Sequence, residues 1–442
     1  MIIRLPPGTS RRSVPLAIFV LVVLWVWVLF ARPWRISFSH IQSHFYPESP
    51  PSLSVTDAFD FPPIESESIK SICGETEWNP EVVFRCDESV GGIGNIRNSI
   101  LHCVRYAISA GGGLVIPSIV LRNASDISQI RTGVTTTMDY LFDTQHFIDS
   151  LRLSCPSLPV YKSAVDIPQF QGQDALSLIP ESLFASVPAN GLKNPEKWRE
   201  LFYSWLEDYR SPNRTGAMVV GLGRSYLHYP IYSDGEGFAM SFGGILKLRS
   251  DTRRLATTTL IRLAEAHSLA INLSEPILLN AFFGAHLRTE KDAQEGWPAP
   301  DWIFSRYATQ SKLYLEQAPR SNTSIIYVAS GDPTEVAKFT ADAKAINMAV
   351  TTKYDLLTED DRVEFEKLAW DQQALVDYMV MLKASDFAGV GHSSFAWNIA
   401  LKRHQYAQQT NHLDGPQMLS DELSQIYGTP RGYPEYAACL WP

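Results

Sequence analysis

The sequence predicts an α/β protein with two doubly wound domains, placed behind a single N-terminal membrane helix. Two observations predict the class: strand-like apolar runs alternate with helical periodicity near the front of the chain, and the pattern returns from residue 277 onward. The third observation is length. About 370 residues follow the first seventy, which is more than one hydrophobic core ordinarily contains, so two domains are favoured. We place them at residues 71–270 and 271–442.

The N-terminus carries the predicted membrane anchor. Residues 13–31 are an uncharged run bracketed by arginines, and a helix of that length covers about 30 Å, the hydrocarbon thickness of a bilayer. A cleaved signal peptide is the alternative, but its apolar region is roughly 7–15 residues long, and residues 30–34 are a poor cleavage site. Residues 1–12 then form a cytoplasmic tail, and the proline- and serine-rich residues 32–70 a flexible stem.

The rest of the chain is expected to face the lumen of the endoplasmic reticulum or Golgi, as a type II membrane protein. Downstream of the anchor there is no second apolar span, and four Asn-x-Ser/Thr sequons occur, at Asn123, Asn213, Asn272 and Asn322. Five cysteines allow up to two disulfides there, and Cys73 with Cys86 is a plausible pair across a short loop. The net charge of −9, without a basic run, argues against a nucleic-acid partner.

The front of the predicted body is a strand–helix–strand unit. Residues 82–84 form an apolar strand, a glycine-rich turn follows at 91–95 (Gly-Gly-Ile-Gly-Asn), residues 96–108 have helical spacing, and 114–117 return to a strand. Glycines let a backbone approach a ligand, and the next helix offers free N–H groups to an anion. The turn is therefore a candidate binding loop, with a tight turn that binds nothing as the alternative.

The back half repeats the pattern more clearly. Ligands of doubly wound sheets bind beyond the carboxyl ends of the strands, so side chains at those ends are the candidate site residues. Residues 120–270, in contrast, contain no motif that points to a function. Strands are predicted at residues 277–287, 324–329, 349–352 and 386–390, and helices at 334–346, 372–384 and 394–402.

His286 and Arg288 end the strand at 277–287. They are two residues apart, so both side chains leave the same face of the strand. The fixed fork of donors on arginine suits a phosphate. The alternative is an arginine paired with Glu290 or Asp292, beside a histidine satisfied in the core.

Asp377 is the only charged residue in the mostly apolar stretch 374–382. A buried carboxylate there needs a partner, and it could accept two hydrogen bonds from the edge of a guanine base. The alternative is an aspartate in the first turn of a helix or on a solvated face.

Residues 389–395 end a strand in glycines and begin a helix with two serines, Ser393 and Ser394. Hydroxyl and N–H groups at such a place could hold a pyrophosphate, whereas a plain N-cap at Ser394 is the alternative. The stretch also half resembles the nucleophile elbow of serine hydrolases, but it lacks the last glycine, and His412 precedes Asp414. The sequence contains no Asp-x-Asp and no zinc pattern, so no metal site is predicted.

Together these features, in this order, resemble the GDP-fucose protein O-fucosyltransferase family. The resemblance rests on the turn at 91–95 with Arg97, on His286 and Arg288 with Asp292, and on Asp377 sixteen residues ahead of Ser393. It implies a GT-B fold, in which two Rossmann-like domains face a cleft. It also implies inverting, metal-independent transfer of fucose from GDP-fucose to a protein or glycan acceptor, with no cofactor.

The resemblance further implies roles for single residues. Arg288 would hold the β-phosphate and offset the charge on departing GDP, with Asp292 orienting it, and Asn95 would lie beside the fucose. Some family members carry a glutamate base in the turn where this chain has Gly92, so a water relay or a substrate-assisted transfer is open. A transferase for another GDP-sugar and a catalytically silent glycan-binding or scaffold protein are the alternatives. The other donor-binding positions are Gly92, Gly94, His286, Asp377, Ser393, Ser394 and Phe395.

Overall fold

The computed structural model describes residues 57–123, 126–168, 170, 172–188, 191–210, 216–225, 227, 229–297, 299, 302–408, 420–429 and 441–442. The predicted tail, the anchor at 13–31 and most of the predicted stem lie outside these residues. Among the described residues, no helix has both the length and the apolar character needed to cross a bilayer.

The front half folds around a parallel sheet with the strand order β5–β2–β1–β7–β6, beside the short antiparallel pair β3 and β4. The strands are β1 (Val82–Cys86), β2 (Gly113–Val115), β3 (Ile119–Val120), β4 (Thr135–Thr136), β5 (Val160–Tyr161), β6 (Leu176–Leu178) and β7 (Met218–Leu222). The helices are α1 (Glu67–Glu75), α2 (Ile93–Ala110), α3 (Thr144–Ser154), α4 (Pro195–Glu207), α5 (Glu236–Phe242) and α6 (Ser250–His267).

The back half folds around a second parallel sheet, with the strand order β10–β9–β8–β11–β12. Its strands are β8 (Phe283–His286), β9 (Ile325–Ala329), β10 (Ala349–Thr351), β11 (Asp386–Val390) and β12 (Ser424–Tyr427). Its helices are α7 (Lys291–Gly296), α8 (Tyr307–Gln317), α9 (Pro333–Ala345), α10 (Lys353–Leu356), α11 (Glu359–Glu366), α12 (Trp370–Leu382) and α13 (Ser394–His404).

The predicted α/β class with parallel sheets is confirmed. Helix α2 extends two residues beyond the predicted helical stretch and ends at Ala110, because Gly111 adopts φ 72° and its N–H bonds the carbonyls of Ala107 and Ile108. Residues 54–442 group into one compact unit, and one core cluster contains residues of both halves. The division into domains at residue 270 stays a prediction.

Two expectations about the chain path are wrong in part. The strand predicted at 277–287 is formed only at β8, since residues 279–281 form a turn that precedes it. Residues 57–70, assigned to a flexible stem, pack on the body: Ile69 is fully buried in α1, and the N–H of Ala58 bonds Thr257 Oγ1 at 2.9 Å. Their few apolar residues are enough to dock the segment, although they follow no helical or strand period.

The predicted disulfide between Cys73 and Cys86 is wrong. Cys73 in α1 bonds Cys155 after α3, and Cys86 at the end of β1 bonds Cys103 in α2. Helix α1 packs against α3, and α2 packs against β1, so each cysteine finds a partner on the neighbouring element rather than nearby in sequence. The fifth cysteine, Cys439, lies outside the described residues.

The predicted glycosylation sites are at or near the surface where the structure describes them. Asn272 and Asn322 are exposed, and Asn123 is partly exposed in a loop. Asn213 lies outside the described residues. Glycosylation at the four sequons stays a prediction.

Candidate active site

The predicted site residues line one cleft. Its volume is about 460 Å³, and residues from both halves of the chain form its walls. They lie at or after the ends of strands β1, β8 and β11 or on helix α12, so the carboxyl ends of strands from the two sheets contribute to one site. The predicted residues in this lining are Gly92, Gly94, Asn95, His286, Arg288, Asp292, Asp377, Ser393, Ser394 and Phe395.

Gly94 brings the glycine-rich turn against the start of α13. A Cβ atom at this position would lie 2.6 Å from the backbone C and O of Ser394. Backbone atoms cannot approach so closely without displacement, so only glycine fits here. Gly94 therefore lets helix α2 of the front half meet the serine segment of the back half.

Ser393, rather than Ser394, caps helix α13. The Ser393 hydroxyl accepts a hydrogen bond from the N–H of Ala396 at 3.4 Å, and the helix begins at Ser394. The plain N-cap considered from sequence is thus present, one residue earlier. Both serines still line the cleft, at the positive end of the helix dipole, where an anion is favoured.

Arg288 is held by two carboxylates. Its guanidinium donates to both oxygens of Asp292, at 2.8 and 2.5 Å, and to Glu290 at 2.5 Å. Glu290 also accepts the N–H of Gly331 at 2.8 Å, which ties this loop to the end of β9. Burial alone would lower the pKa of Arg288, but the charges and hydrogen bonds of both carboxylates outweigh burial and raise it. Arg288 is therefore charged and oriented.

Arg122 is a second cation of the cleft, which the sequence did not single out. It donates to Asp292 at 3.0 Å, so that one carboxylate joins two arginines. Burial lowers the pKa of Arg122, and the charge of Asp292 opposes that shift. Arg122 lies in the stretch without motifs. Its place in the site is recognised only from its contact with Asp292, which is 170 positions away in the sequence.

His286 is buried and faces Phe395, with 4.6 Å between the ring centroids. Burial, and then the positive charge of Arg288, lower its pKa from 6.5 to about 3, so the ring is neutral at physiological pH. Its Nδ1 atom is buried without a hydrogen-bond partner among the described residues. A neutral ring with an unused nitrogen suits a hydrogen bond to a polar ligand, because it adds no charge to the site.

Asp377 is buried in a small network. One carboxylate oxygen accepts from the Tyr327 hydroxyl at 2.7 Å, and the other from Lys353 Nζ at 2.5 Å. The partner expected for this carboxylate from sequence is therefore present within the protein. Each oxygen has a second lone pair, so the side chain can still accept hydrogen bonds from a ligand in the cleft.

A sequence comparison now decides the family. A model of the family described as GDP-fucose protein O-fucosyltransferase matches residues 82–406, well over half of the chain. The chain belongs to this family. It is therefore a glycosyltransferase, and the resemblance inferred from sequence is confirmed. A comparison with curated proteins found no match.

Solved fucosyltransferases resemble this family member at low identity. POFUT1 in complex with GDP-fucose is 14% identical, covers 80% of this chain and 100% of its own, and has a TM-score of 0.47. An Arabidopsis thaliana FUT1 variant in complex with GDP is 13% identical. The match covers 76% of this chain and 71% of the FUT1 chain, with a TM-score of 0.39. The fucosyltransferase NodZ from Bradyrhizobium is 13% identical. The match covers 71% of this chain and 90% of NodZ, with a TM-score of 0.35. The family assignment rests on the sequence match alone.

In this O-fucosyltransferase family member, Gly92 occupies the position where the resemblance led us to look for a glutamate base. A Cβ atom there would lie 3.9 Å from Arg122 Nη1, so the position of the glutamate expected in other members faces an arginine here. Asn95 accepts a hydrogen bond from Arg224 at 3.4 Å. Among the described acidic residues of the cleft, Asp371 alone has no cationic partner, and it accepts the Tyr140 hydroxyl at 2.6 Å. The described residues contain no cluster of three or more side chains able to hold a metal.

The neutral state of His286 predicts how the protein responds to acid. The unfolded chain takes up a proton near pH 6.5, whereas folded His286 takes one up only near pH 3, so its contribution to stability falls as pH drops below 6.5. At pH 5 this loss is about 2 kcal/mol. We expect His286→Gln to lose less stability between pH 7.5 and 5.0 than wild type, measured by urea unfolding. The control is His267→Gln at the partly exposed end of α6, and equal acid losses in all three proteins would contradict the prediction.

Proposed function

We propose that this protein transfers fucose from GDP-fucose to a hydroxyl of a protein or glycan acceptor, with inversion and without a metal ion. The observation that carries the proposal is the position of Arg288, in one cleft with His286, Asp377 and the start of α13, in a chain of the O-fucosyltransferase family. We further propose that the two sheets belong to the Rossmann-like domains of a GT-B fold, and that the cleft holds the donor.

In this proposal the acceptor oxygen attacks the anomeric carbon of fucose as the bond from that carbon to the phosphate oxygen breaks. GDP leaves with the bonding electrons, and negative charge grows on its β-phosphate. The proton of the acceptor hydroxyl leaves through a water relay or passes to the departing phosphate, the two routes that remain open with glycine at position 92. Arg288 faces this charge with a planar fork of donors, held in place by Glu290 and Asp292. Ser393 and Ser394 would contact the pyrophosphate, Asn95 the fucose, and Asp377 and His286 the nucleoside.

Positive charge from arginine supports the proposal that no metal is needed. Arg288 and Arg122 both line the cleft, and the sequence contains no Asp-x-Asp pair that would hold a cation on the donor's pyrophosphate. Gly92 leaves the turn without a carboxylate, which favours a second candidate: a protein that binds the donor or a glycan and transfers nothing.

Binding of GDP tests the donor proposal. With the full chain in EDTA, GDP at a hundredfold excess over its dissociation constant should stabilise the fold by about 2.7 kcal/mol, measured as a rise in melting temperature. UDP is the matched control, because it keeps the diphosphate and changes the base. Equal stabilisation by UDP, or a strict need for manganese, would count against the proposal. Stabilisation by GDP without any turnover of GDP-fucose would favour the silent binding protein.

We also propose that the chain is a single-pass type II protein of the endoplasmic reticulum or Golgi membrane, with the site in the lumen. The anchor predicted at 13–31 and the four sequons support this, and the two disulfides suit an oxidising compartment. Expressed in eukaryotic cells, the full chain should stay with membranes after alkaline carbonate washing and lose mass on glycosidase treatment. An unglycosylated protein in the cytosol would end this proposal.

A further inference from the structure

A lysine and an aspartate form a buried ion pair in the wall of the donor cleft. Lys353 and Asp377 are both 5% exposed and both line the cleft, and 2.5 Å separates Lys353 Nζ from Asp377 Oδ2. Apolar residues of similar size often stabilise a fold as well as a buried ion pair does, or better. Stability alone therefore does not account for the pair, and the proposed transfer gives a contact to Asp377 but none to Lys353.

Neighbouring elements hold both side chains in place. Lys353 is the first residue of α10, and a capping box fixes the start of that helix: Asp355 Oδ2 accepts from the N–H and the hydroxyl of Thr352, both at 2.8 Å. The Tyr327 hydroxyl, on β9, donates to Asp377 Oδ1 at 2.7 Å. The carboxylate of Asp377 is thus held at both oxygens, which fixes its plane.

Lys353 has one hydrogen-bond donor left for a ligand. An ammonium group carries three N–H donors, and two of them serve Asp377 Oδ2 and the main-chain carbonyl of Gln373, the latter at 3.1 Å. Among the described residues, no acceptor takes the third. The rings of Tyr354 and Phe365, with centroids 5.3 and 5.4 Å from Nζ, supply only the weaker attraction of a cation to an aromatic face.

Asp377 also keeps room for a ligand. Each carboxylate oxygen can accept two hydrogen bonds, and one place on each is taken, by Tyr327 and by Lys353. Tyr327 is fully buried and does not line the cleft, so its hydroxyl reaches the carboxylate from the protein interior. Because Nζ bonds Oδ2, the pair offers three groups in a row: the donor Nζ, then the acceptor Oδ2, then the acceptor Oδ1.

A guanine base has the complementary edge. Its O6 accepts, its N1–H donates and its 2-amino group donates, on three consecutive ring positions. Adenine has an amino group at the first of these positions and a bare nitrogen at the second, so it opposes both the lysine and the carboxylate. Uracil matches the first two positions but places a carbonyl oxygen at the third. The row therefore distinguishes guanine from these bases by the direction of each hydrogen bond.

We infer that Lys353 donates its third N–H to O6 of the donor's guanine, beside the contacts of the N1–H and the 2-amino group with Asp377. The inference rests on the proposed function, because it takes a guanine nucleotide as the ligand of this cleft. A charged donor makes a stronger hydrogen bond to a carbonyl than a neutral one does. Lys353 then determines the base specificity of the donor site, whereas Arg288 acts on the phosphate.

Binding of guanine nucleotide analogues to the full chain tests the contact with O6. Isothermal titration should give a dissociation constant for 6-thio-GDP about tenfold or more above that for GDP, because sulfur is a weak acceptor for a charged donor. IDP lacks the 2-amino group and should also bind more weakly, through loss of a contact with Asp377. Equal binding of 6-thio-GDP and GDP would overturn the inference. This comparison uses the wild-type protein, so it does not depend on the folding of a variant.

Replacing Lys353 with methionine assigns the effect to the lysine. Lys353→Met should weaken GDP binding by about tenfold or more and abolish the preference for GDP over 6-thio-GDP, but keep the preference for GDP over IDP. If the lysine were only structural, all three nucleotides would weaken equally and the preference over 6-thio-GDP would persist, which would contradict the inference. The control is Lys344→Met, an exposed lysine in the last turn of α9, which should bind all three like wild type.

Failure of the inference and failure of the proposed function give different results. If the wild-type protein does not bind GDP, the donor proposal fails and the inference fails with it. If Lys353→Met binds GDP as wild type does, with the same base preferences, the inference alone fails. Binding with the expected preferences but without transfer of fucose would support the inference and end only the proposed transfer.

Discussion

Replacing Arg288 with alanine is expected to lower the turnover of GDP-fucose by about a hundredfold or more, by analogy with the loss of one donor to a developing negative charge. The arginine fork meets the β-phosphate as the sugar–phosphate bond breaks, so its effect falls on the rate rather than on binding alone. Arg288→Lys keeps the charge but loses the two-point fork, and turnover should still fall sharply. The measurement is kcat and KM for all three proteins. Unchanged turnover in the alanine variant would remove Arg288 from the mechanism.

Stability must be measured beside activity, because Arg288 is also part of an ion-pair cluster. Alanine leaves Glu290 without its arginine partner and leaves Asp292 with Arg122 only, so some loss of melting temperature is expected. Turnover is therefore compared well below the melting temperature of each variant. Arg362→Ala, which removes an exposed pair with Glu366, is the control and should change neither property by much. A collapse of the fold in Arg288→Lys would show that the arginine is mainly structural.

Replacing Gly94 with alanine is expected to damage both the fold and the reaction. The new methyl group would meet the Ser394 backbone at 2.6 Å, so the turn or the start of α13 must move. Overpacking of this kind costs about 1–3 kcal/mol. A displacement of about 1 Å at a reacting site can lower turnover by about a hundredfold. Melting temperature and turnover of Gly94→Ala are the measurements.

Gly296 gives a matched control for Gly94. It lines the same cleft, but a Cβ atom there would have no neighbour within 4 Å. Gly296→Ala should therefore melt and turn over like wild type. If Gly94→Ala behaved like Gly296→Ala, the close contact between the two halves would have no role in the site.

The order of the elements near the site could be predicted from sequence, because strand ends and glycine turns are recognised from short runs of neighbouring residues. Residues 386–390 were predicted as a strand and form β11, and both ends of helix α9 lie within one residue of the prediction. The residues that we singled out at strand ends all line one cleft. Arg288 is paired with Asp292, which is the alternative that the sequence analysis gave for this arginine. Their roles in binding and transfer stay predictions.

Contacts between distant segments could not be predicted, because nothing local marks them. Arg122 meets Asp292 across 170 positions, and Cys73 meets Cys155 across 82. Strand β7 lies next to β1 in its sheet, yet its five buried residues come from the stretch in which no motif was found. One sequence shows periodicity and turn chemistry, but it does not show which segments become neighbours.

The ion pairs around Arg288 have a consequence for selectivity. Glu290, Arg288, Asp292 and Arg122 form a row of alternating charges whose formal sum is zero, so the resting cleft is neutral at its centre. A ligand can reach Arg288 through the two donors that the carboxylates leave unused, Nε–H and one Nη2–H, but the neighbouring carboxylates already offset the charge of the arginine. A diphosphate carries enough negative charge to compete, whereas a neutral sugar or a singly charged anion gains little. We therefore expect the cluster to favour a diphosphate over weakly charged molecules at the binding step.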